Sequence, residues 1–251
     1  MSWNVAGRVR LLPAQAERLL GLEADVICLQ ETTPSTVPRW CELLREAGYT
    51  GVAHAPGEGG QERPLMVLSA ARSALRPQPL AGAPWPERVL DVRTADGMQI
   101  VNIHSPTSAK PDLVKLRTHR AVHDHLAASA APARILCGDL NTPRRELPDG
   151  TAWSFARDRY GRLRADRGEE WERAELSLLR GLRAHGFRDA FRELHGFERR
   201  EISWGWARWS GGYRLDHLLV AGLGVRACRY EHAWREQGLS DHSPLLAELA
   251  R

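Results

Sequence analysis

The chain has 251 residues, 43% of them hydrophobic, with a formal net charge of +4 and a pI near 9.1. That length suits one α/β domain spanning residues 1–251, large enough to bury a full core. No apolar run reaches the ~18 residues of a membrane span. The four cysteines are too few for a disulfide scaffold and show no zinc spacing.

Ser2–Val5 opens the chain as a short strand, which leaves no room for a signal peptide, so a cytoplasmic protein is expected. A loop carrying Arg8 and Arg10 leads to a helix near Pro13, with Leu12, Ala16, Leu19 and Leu20 on one face. Ala24–Leu29 reads as a buried strand. Thr36–Ala47 is an amphipathic helix through Val37, Trp40, Leu43 and Leu44, ended by Gly48. The Gly-rich stretch Gly57–Gln61 precedes a strand at Leu65–Ser69. Arg88–Arg93 and Met98–His104 form a hairpin around the turn dipeptide Asp96-Gly97.

Pro111–Ala127 is helical and Arg134–Cys137 is a second buried strand; Cys28 and Cys137 are buried thiols within such runs. Arg144–Glu170, polar and arginine-rich, reads as an irregular insertion. Trp171–His185 is a helix closed by Gly186, and Leu215–Val220, Val225–Tyr230 and Pro244–Leu249 complete the strands. Strands and helices neither alternate strictly nor fall into blocks. The expected fold is an α/β sandwich of four layers, two packed, mostly antiparallel (mixed) sheets flanked by helices.

Polar sets stand at the ends of several apolar runs: Trp3-Asn4-Val5, Leu29-Gln30-Glu31-Thr32, Gly138-Asp139-Leu140-Asn141, Arg214-Leu215-Asp216-His217 and Ser240-Asp241-His242-Ser243. Burying such groups unpaired is expensive. Their recurrence points to strands converging on one carboxylate-rich rim. Carboxylates, carboxamides and histidines without cysteine suit a hard, oxygen-bound cation and phosphate chemistry.

In this order the sets resemble the endonuclease/exonuclease/phosphatase superfamily, with the nearest likeness to its exonuclease III and abasic-site endonuclease branch. The resemblance runs from residue 2 to about residue 249. It implies a Mg²⁺ or Mn²⁺ ion held by Glu31 with Asn4 and Asp241 beside it. It also implies Asp139 as general base and Asn141 as a phosphate ligand. The spacing of Asp139 and Asn141 puts both on one strand face, although an Asx-type turn before Pro143 is the plainer alternative and is compatible with function. Asp216 and His242 are expected as an orienting pair, with a carboxylate fixing the imidazole tautomer. His217, beside Asp216, then points the other way as a structural histidine.

His104 stands where abasic-site endonucleases usually carry tyrosine. Histidine is found there in the deoxyribonuclease, sphingomyelinase and tyrosyl-DNA phosphodiesterase branches, and either group can donate to a phosphate oxygen. Ala6 and Thr33 depart from the branch pattern too, where an acid or amide and a lysine are usual. Trp204 and Tyr213 match aromatics that line the repair branch's pocket for an extruded sugar, and Phe187-Arg188-Asp189-Ala190-Phe191 is also similar. Core filling is the alternative for Trp204, and more so for Trp206 and Trp209. Arg8 is taken as a further substrate contact.

The implied function is DNA phosphodiester hydrolysis by a monomer that does not engage membranes. Hydrolysis of a non-nucleic phosphoester is the alternative of the same chemistry. An inert nucleic-acid-binding relative would show erosion of the carboxylate set, and none is eroded.

Overall fold

The computed structural model describes residues 1–57, 64–108, 113–205 and 211–251. The expected features at Gln61, at the start of the helix near Pro111, and at Trp206 and Trp209 lie outside these residues.

One six-stranded sheet contains β1 (Ser2–Asn4), β2 (Val26–Thr32), β3 (Gly51–His54) and β4 (Met66–Ala71), together with Gly224–Tyr230 and Leu245–Ala250. The second contains β5 (Leu75–Gln78), β6 (Val89–Thr94), β7 (Gln99–His104) and β8 (Arg134–Asp139), with Asp216–Ala221 and the short Arg188–Asp189. β1 with β2 and β7 with β8 run parallel, whereas the other pairings in both sheets are antiparallel. The sheets are therefore mixed, as expected.

Strand alternation builds the layers. Cys28 faces Cys137, Ile135 and Val220 between the sheets, while its neighbours Ile27 and Leu29 face outward. That outer face is covered by α1 (Leu12–Leu20) and α2 (Val37–Glu46), through Leu12, Ala16, Leu19, Val37, Trp40 and Leu44. The outer face of the second sheet, with Val101, Ile103 and Leu136, is covered by α3 (Val114–Ala127) through Val122 and Leu126, and by Leu178 and Leu182. The order of layers is helix, sheet, sheet, helix.

Several elements differ from expectation. β2 continues past Leu29 to Thr32 through a bulge, where Leu29 opposes Leu68 but Thr32 opposes Met66. β3, β5 and the helices Ala190–His195 and His232–Glu236 are too short to announce themselves by periodicity. Trp171–His185 is not one helix. It is α4 (Gly168–Glu175), a helical turn at Ser177–Arg180 and a 3₁₀ segment at Gly181–His185. Arg144–Glu170 is irregular as expected, apart from the Arg145–Glu146/Ala152–Trp153 ribbon and the start of α4. Its Glu146 is anchored to Arg192 at 2.6 Å and to Arg214 at 2.8 Å.

Among the described residues, no helix is long and apolar enough to cross a membrane.

Candidate active site

Strand pairing brings the polar sets to one end of the sandwich. In the second sheet His104 is level with Asp139 across the β7–β8 pair, and Asp216 is level with Asp139 on its other side. The row His104–Asp139–Asp216 is thus fixed by register. Gly138 is obligatory beside it: at φ +134° a Cβ would lie 2.0 Å from the Ile103 carbonyl oxygen.

The first sheet supplies Asn4 and Glu31. Bulges re-aim side chains, and here Gln30 turns between the sheets to donate to Asn102 Oδ1 at 2.7 Å while Glu31 reaches the rim. Glu31 takes a left-handed φ of +56°, uncommon for a side-chain-bearing residue. The Ser-Asp-His segment is pinned over β1, with Ser240 Oγ donating to the Asn4 carbonyl at 2.7 Å and Trp3 Nε1 to the His242 carbonyl at 3.1 Å.

Donor atoms of Glu31, Asp139 and His242 all lie within 4.8 Å of one another. Asn4 Nδ2 donates to Glu31 Oε1 at 3.0 Å and to Asp139 Oδ2 at 3.1 Å. Its oxygen, the atom a cation would need, already accepts the Ala6 N–H at 2.9 Å. Asn4, expected beside the metal, thus ties the two carboxylates together, and its amide oxygen keeps a second lone pair.

His242 Nδ1 is 2.9 Å from Asp216 Oδ2, and its Nε2 is 3.8 Å from Asp139 Oδ2. Burial pushes the imidazole toward neutrality, but the Asp216 carboxylate beside it prevails and holds it at about 10. Asp216 thus fixes the ring, and its other nitrogen faces the Asp139 carboxylate. Asp139 is pushed up to about 7, chiefly by burial, with His242 opposing and Asp216 and Glu31 reinforcing. Near neutrality it can therefore both accept and release a proton.

His104 is buried, with Nε2 3.4 Å from Glu31 Oε1. Arg88, stacked over Trp85, approaches its Nδ1 at 3.5 Å. A guanidinium only donates, so Nδ1 accepts and the ring proton sits on Nε2, pointing into the site. Burial, then Arg88 and His242, push His104 well below the ordinary imidazole value. It is a neutral single donor, the service a tyrosine hydroxyl would give. Nothing in the sequence around Arg88 marked it for this contact.

Asn141 joins Asp139 through a turn, not through strand alternation. Its φ is +48°, its N–H donates to Asp139 Oδ1 at 2.8 Å, and its Nδ2 donates to the Ser105 carbonyl at 2.7 Å. The Asx-type turn and the clustering coexist. His217 points away as expected, to Asp189 Oδ2 at 3.2 Å and the Thr142 carbonyl at 2.9 Å.

A two-stranded ribbon, Trp204–Gly205 with Gly212–Tyr213, flanks the site. Trp204 and Tyr213 are directly opposed with nearly parallel rings 6.0 Å apart, and both are half-buried. Trp204 Nε1 donates to Asp241 Oδ2 at 3.0 Å. The other Asp241 oxygen is buried and has no partner among the described residues. Arg8 lies exposed on the loop after β1.

The family model for the Endonuclease/Exonuclease/phosphatase family matches residues 1–242. The chain belongs to this family. The fold of this family member is similar to an AP endonuclease from Archaeoglobus fulgidus, with TM-score 0.74, 21% identity and coverage of 98% of this chain and 97% of that one. It is also similar to the 3′ phosphatase NExo from Neisseria bound to a product DNA hairpin, with TM-score 0.71, 21% identity and coverage of 100% and 98%. A humanized D. rerio TDP2 matches with TM-score 0.69, 17% identity and coverage of 100% and 97%. No curated protein matches the sequence.

The donor set fits the divalent cation that the family fold implies. Glu31 and Asp241 offer hard oxygens, and the unpartnered Asp241 oxygen is an atom that a cation would satisfy.

Proposed function

We propose that this family member is a divalent-metal-dependent phosphodiesterase acting on DNA, of the exonuclease III and abasic-site endonuclease kind. The observation that carries the reading is the meeting of Glu31, Asp139 and His242 within 4.8 Å, beside the opposed rings of Trp204 and Tyr213. The NExo homologue of the same fold is bound to a product DNA hairpin.

The phosphate sits against donors on three sides: the Asn141 amide, His104 Nε2–H and the His242 imidazolium. These groups are aimed before substrate arrives, so they stabilise developing charge without reorganising. Asp139 takes a proton from water as the water oxygen bonds to phosphorus and the bond to the leaving sugar oxygen breaks. Asp216 keeps the His242 proton in place, and Asn4 keeps Glu31 and Asp139 apart and oriented. Glu31 and Asp241 would hold the Mg²⁺ or Mn²⁺ ion, which when bound neutralises charge on the phosphate and leaving oxygen.

A second reading, hydrolysis of a non-nucleic phosphoester such as a phospholipid headgroup, inositol phosphate or nucleotide, is favoured by two features. His104 stands in the tyrosine's place, and Thr33 stands where the repair branch has lysine. The neutral Nε2–H donor weakens the first objection, since His104 offers what tyrosine offers. A panel of abasic duplex, 3′-phosphate DNA, single-stranded DNA, RNA and small phosphoesters, each with Mg²⁺, Mn²⁺ or chelator, separates the two. DNA must be the preferred substrate; a small phosphoester turned over best would select the alternative.

A further inference from the structure

Behind Asn141 lies an ion pair that the proposed chemistry does not use. Lys115, in the first turn of α3, and Glu175, the last residue of α4, are both fully buried. An ammonium has three donors, and all three are engaged: Glu175 Oε1 at 3.0 Å, Ser108 Oγ at 3.0 Å and the Asn141 carbonyl at 2.6 Å. Glu175 is equally committed. Its Oε1 also accepts from Thr142 Oγ1 at 3.2 Å and the Phe155 N–H at 3.1 Å, and its Oε2 accepts from Trp171 Nε1 at 3.0 Å.

One helical turn on, His119 completes the arrangement. A carbonyl can only accept, so Nδ1–H donates to the Glu175 carbonyl at 2.9 Å and Nε2 accepts from Ser105 Oγ at 2.7 Å. The Ser105 carbonyl is the group that holds Asn141 Nδ2. Lys115 and His119, four apart on one helix face, thus grip Asn141 from both sides: one through its carbonyl, the other through the partner of its amide.

Stability alone is a poor reason for such a pair. Replacing a buried ion pair by neutral groups of similar volume is often neutral or stabilising. Asn141, by contrast, sits in the left-handed region, which persists only where the surroundings over-determine it.

We propose that Lys115, Glu175 and His119 form a positioning clamp that holds the Asn141 amide at the phosphate. The clamp deepens, and rests on, the reading of Asn141 as a phosphate ligand. None of the three touches substrate. They act through Asn141, and misplacement of such a group by about 1 Å can cost on the order of a hundredfold in rate.

The test compares Lys115→Met with Lys115→Met/Glu175→Gln. The single variant strands a buried carboxylate and is expected to fold poorly; the double variant removes both charges. The double variant is expected to regain a Tm within a few degrees of wild type, yet turn over an abasic duplex with Mg²⁺ at least about tenfold more slowly. Turnover that recovers with Tm would mean the pair only supports folding, and would overturn the clamp. In an Asn141→Ala background the double substitution should cost less than about twofold further, because the group it acts through is gone; losses that multiply also overturn it.

A second readout does not depend on turnover. The Asn141 side-chain NH₂ protons should exchange slowly in the wild type and rapidly in the double variant by NMR. If wild type cleaves no DNA but this protection is lost, the clamp stands and the DNA reading falls. If Asn141→Ala is fully active, the role of Asn141 falls and the clamp falls with it.

Discussion

Asp216 faces Asp139 across the β8 pairing and at the same time holds His242 Nδ1 at 2.9 Å. One carboxylate therefore acts in two directions. It raises the proton affinity of Asp139 from one side and keeps the imidazole of His242 charged on the other.

The first prediction follows from that geometry. His242→Ala should lower turnover by roughly 10²–10³, the loss typical of removing one donor to a developing charge, and Asp216→Ala should do nearly the same. Combined, they should cost little more than His242→Ala alone, because Asp216 acts through the ring. A double-mutant cycle in which the two losses simply multiply would show that the pair is not a unit.

The aromatic wall gives a second prediction. Truncating Trp204 or Tyr213 should reduce the preference for abasic duplex over a small phosphodiester by roughly tenfold, since stacking is worth about 1–3 kcal/mol per base, a bare sugar gains less than that, and 1.36 kcal/mol is tenfold in rate. Pure core packing predicts equal loss on both substrates with a lowered Tm. His104→Tyr should stay active, since either side chain supplies one neutral donor toward Glu31 and Asp139. An inactive His104→Tyr with an unchanged preference in Trp204→Ala would favour the non-nucleic substrate.

A third concerns acid stability. Glu146 accepts from both Arg192 and Arg214, and Asp189 accepts from Arg214 at 2.6 Å. Burial opposes the charge, but Arg214 and Arg192 hold Glu146 down at about 2, and Arg214 and His217 hold Asp189 well below the ordinary carboxylate range. Because the folded values are depressed, the stability is fully present above the unfolded Glu value of about 4.3 and is lost as pH falls through about 2. Glu146→Gln leaves two buried guanidinium groups short of a partner and should cost about 3–5 kcal/mol at neutral pH. It should also flatten the acid limb of Tm against pH. An acid limb identical to wild type would remove Glu146 from this role.

Much of the architecture was legible because it rests on long apolar runs. β2, β7, β8 and Asp216–Ala221 are buried on both faces, so their sequences read as continuous hydrophobic stretches with polar ends. The polar ends pointed to the residues that converge, since parallel and antiparallel register put His104, Asp139 and Asp216 level. Local geometry was not legible. The bulge that turns Glu31 outward and the left-handed Asn141 depend on tertiary contacts with no periodic signature. The bonds that tie Asn4 to Glu31, Asp139 and the Ala6 N–H are likewise contacts that spacing does not disclose. Arg88 and Lys115 were invisible for a related reason: a cation in a sequence reads as a solvated side chain, and only the fold buries these two.

Metal-dependent DNA cleavage through Asp139 is the central expectation. The decisive measurement is incision of a duplex carrying one abasic site by wild type, Asp139→Asn and Glu31→Ala, each across a Mg²⁺ titration and with chelator. Wild type should cleave with Mg²⁺ and be silent in chelator. Asp139→Asn keeps the shape but cannot take the proton, so its rate should fall by ~10²–10⁴ at every metal concentration. Glu31→Ala should be rescued in part by excess Mg²⁺. Cleavage that persists in chelator, or an Asp139→Asn enzyme as fast as wild type, would contradict the account.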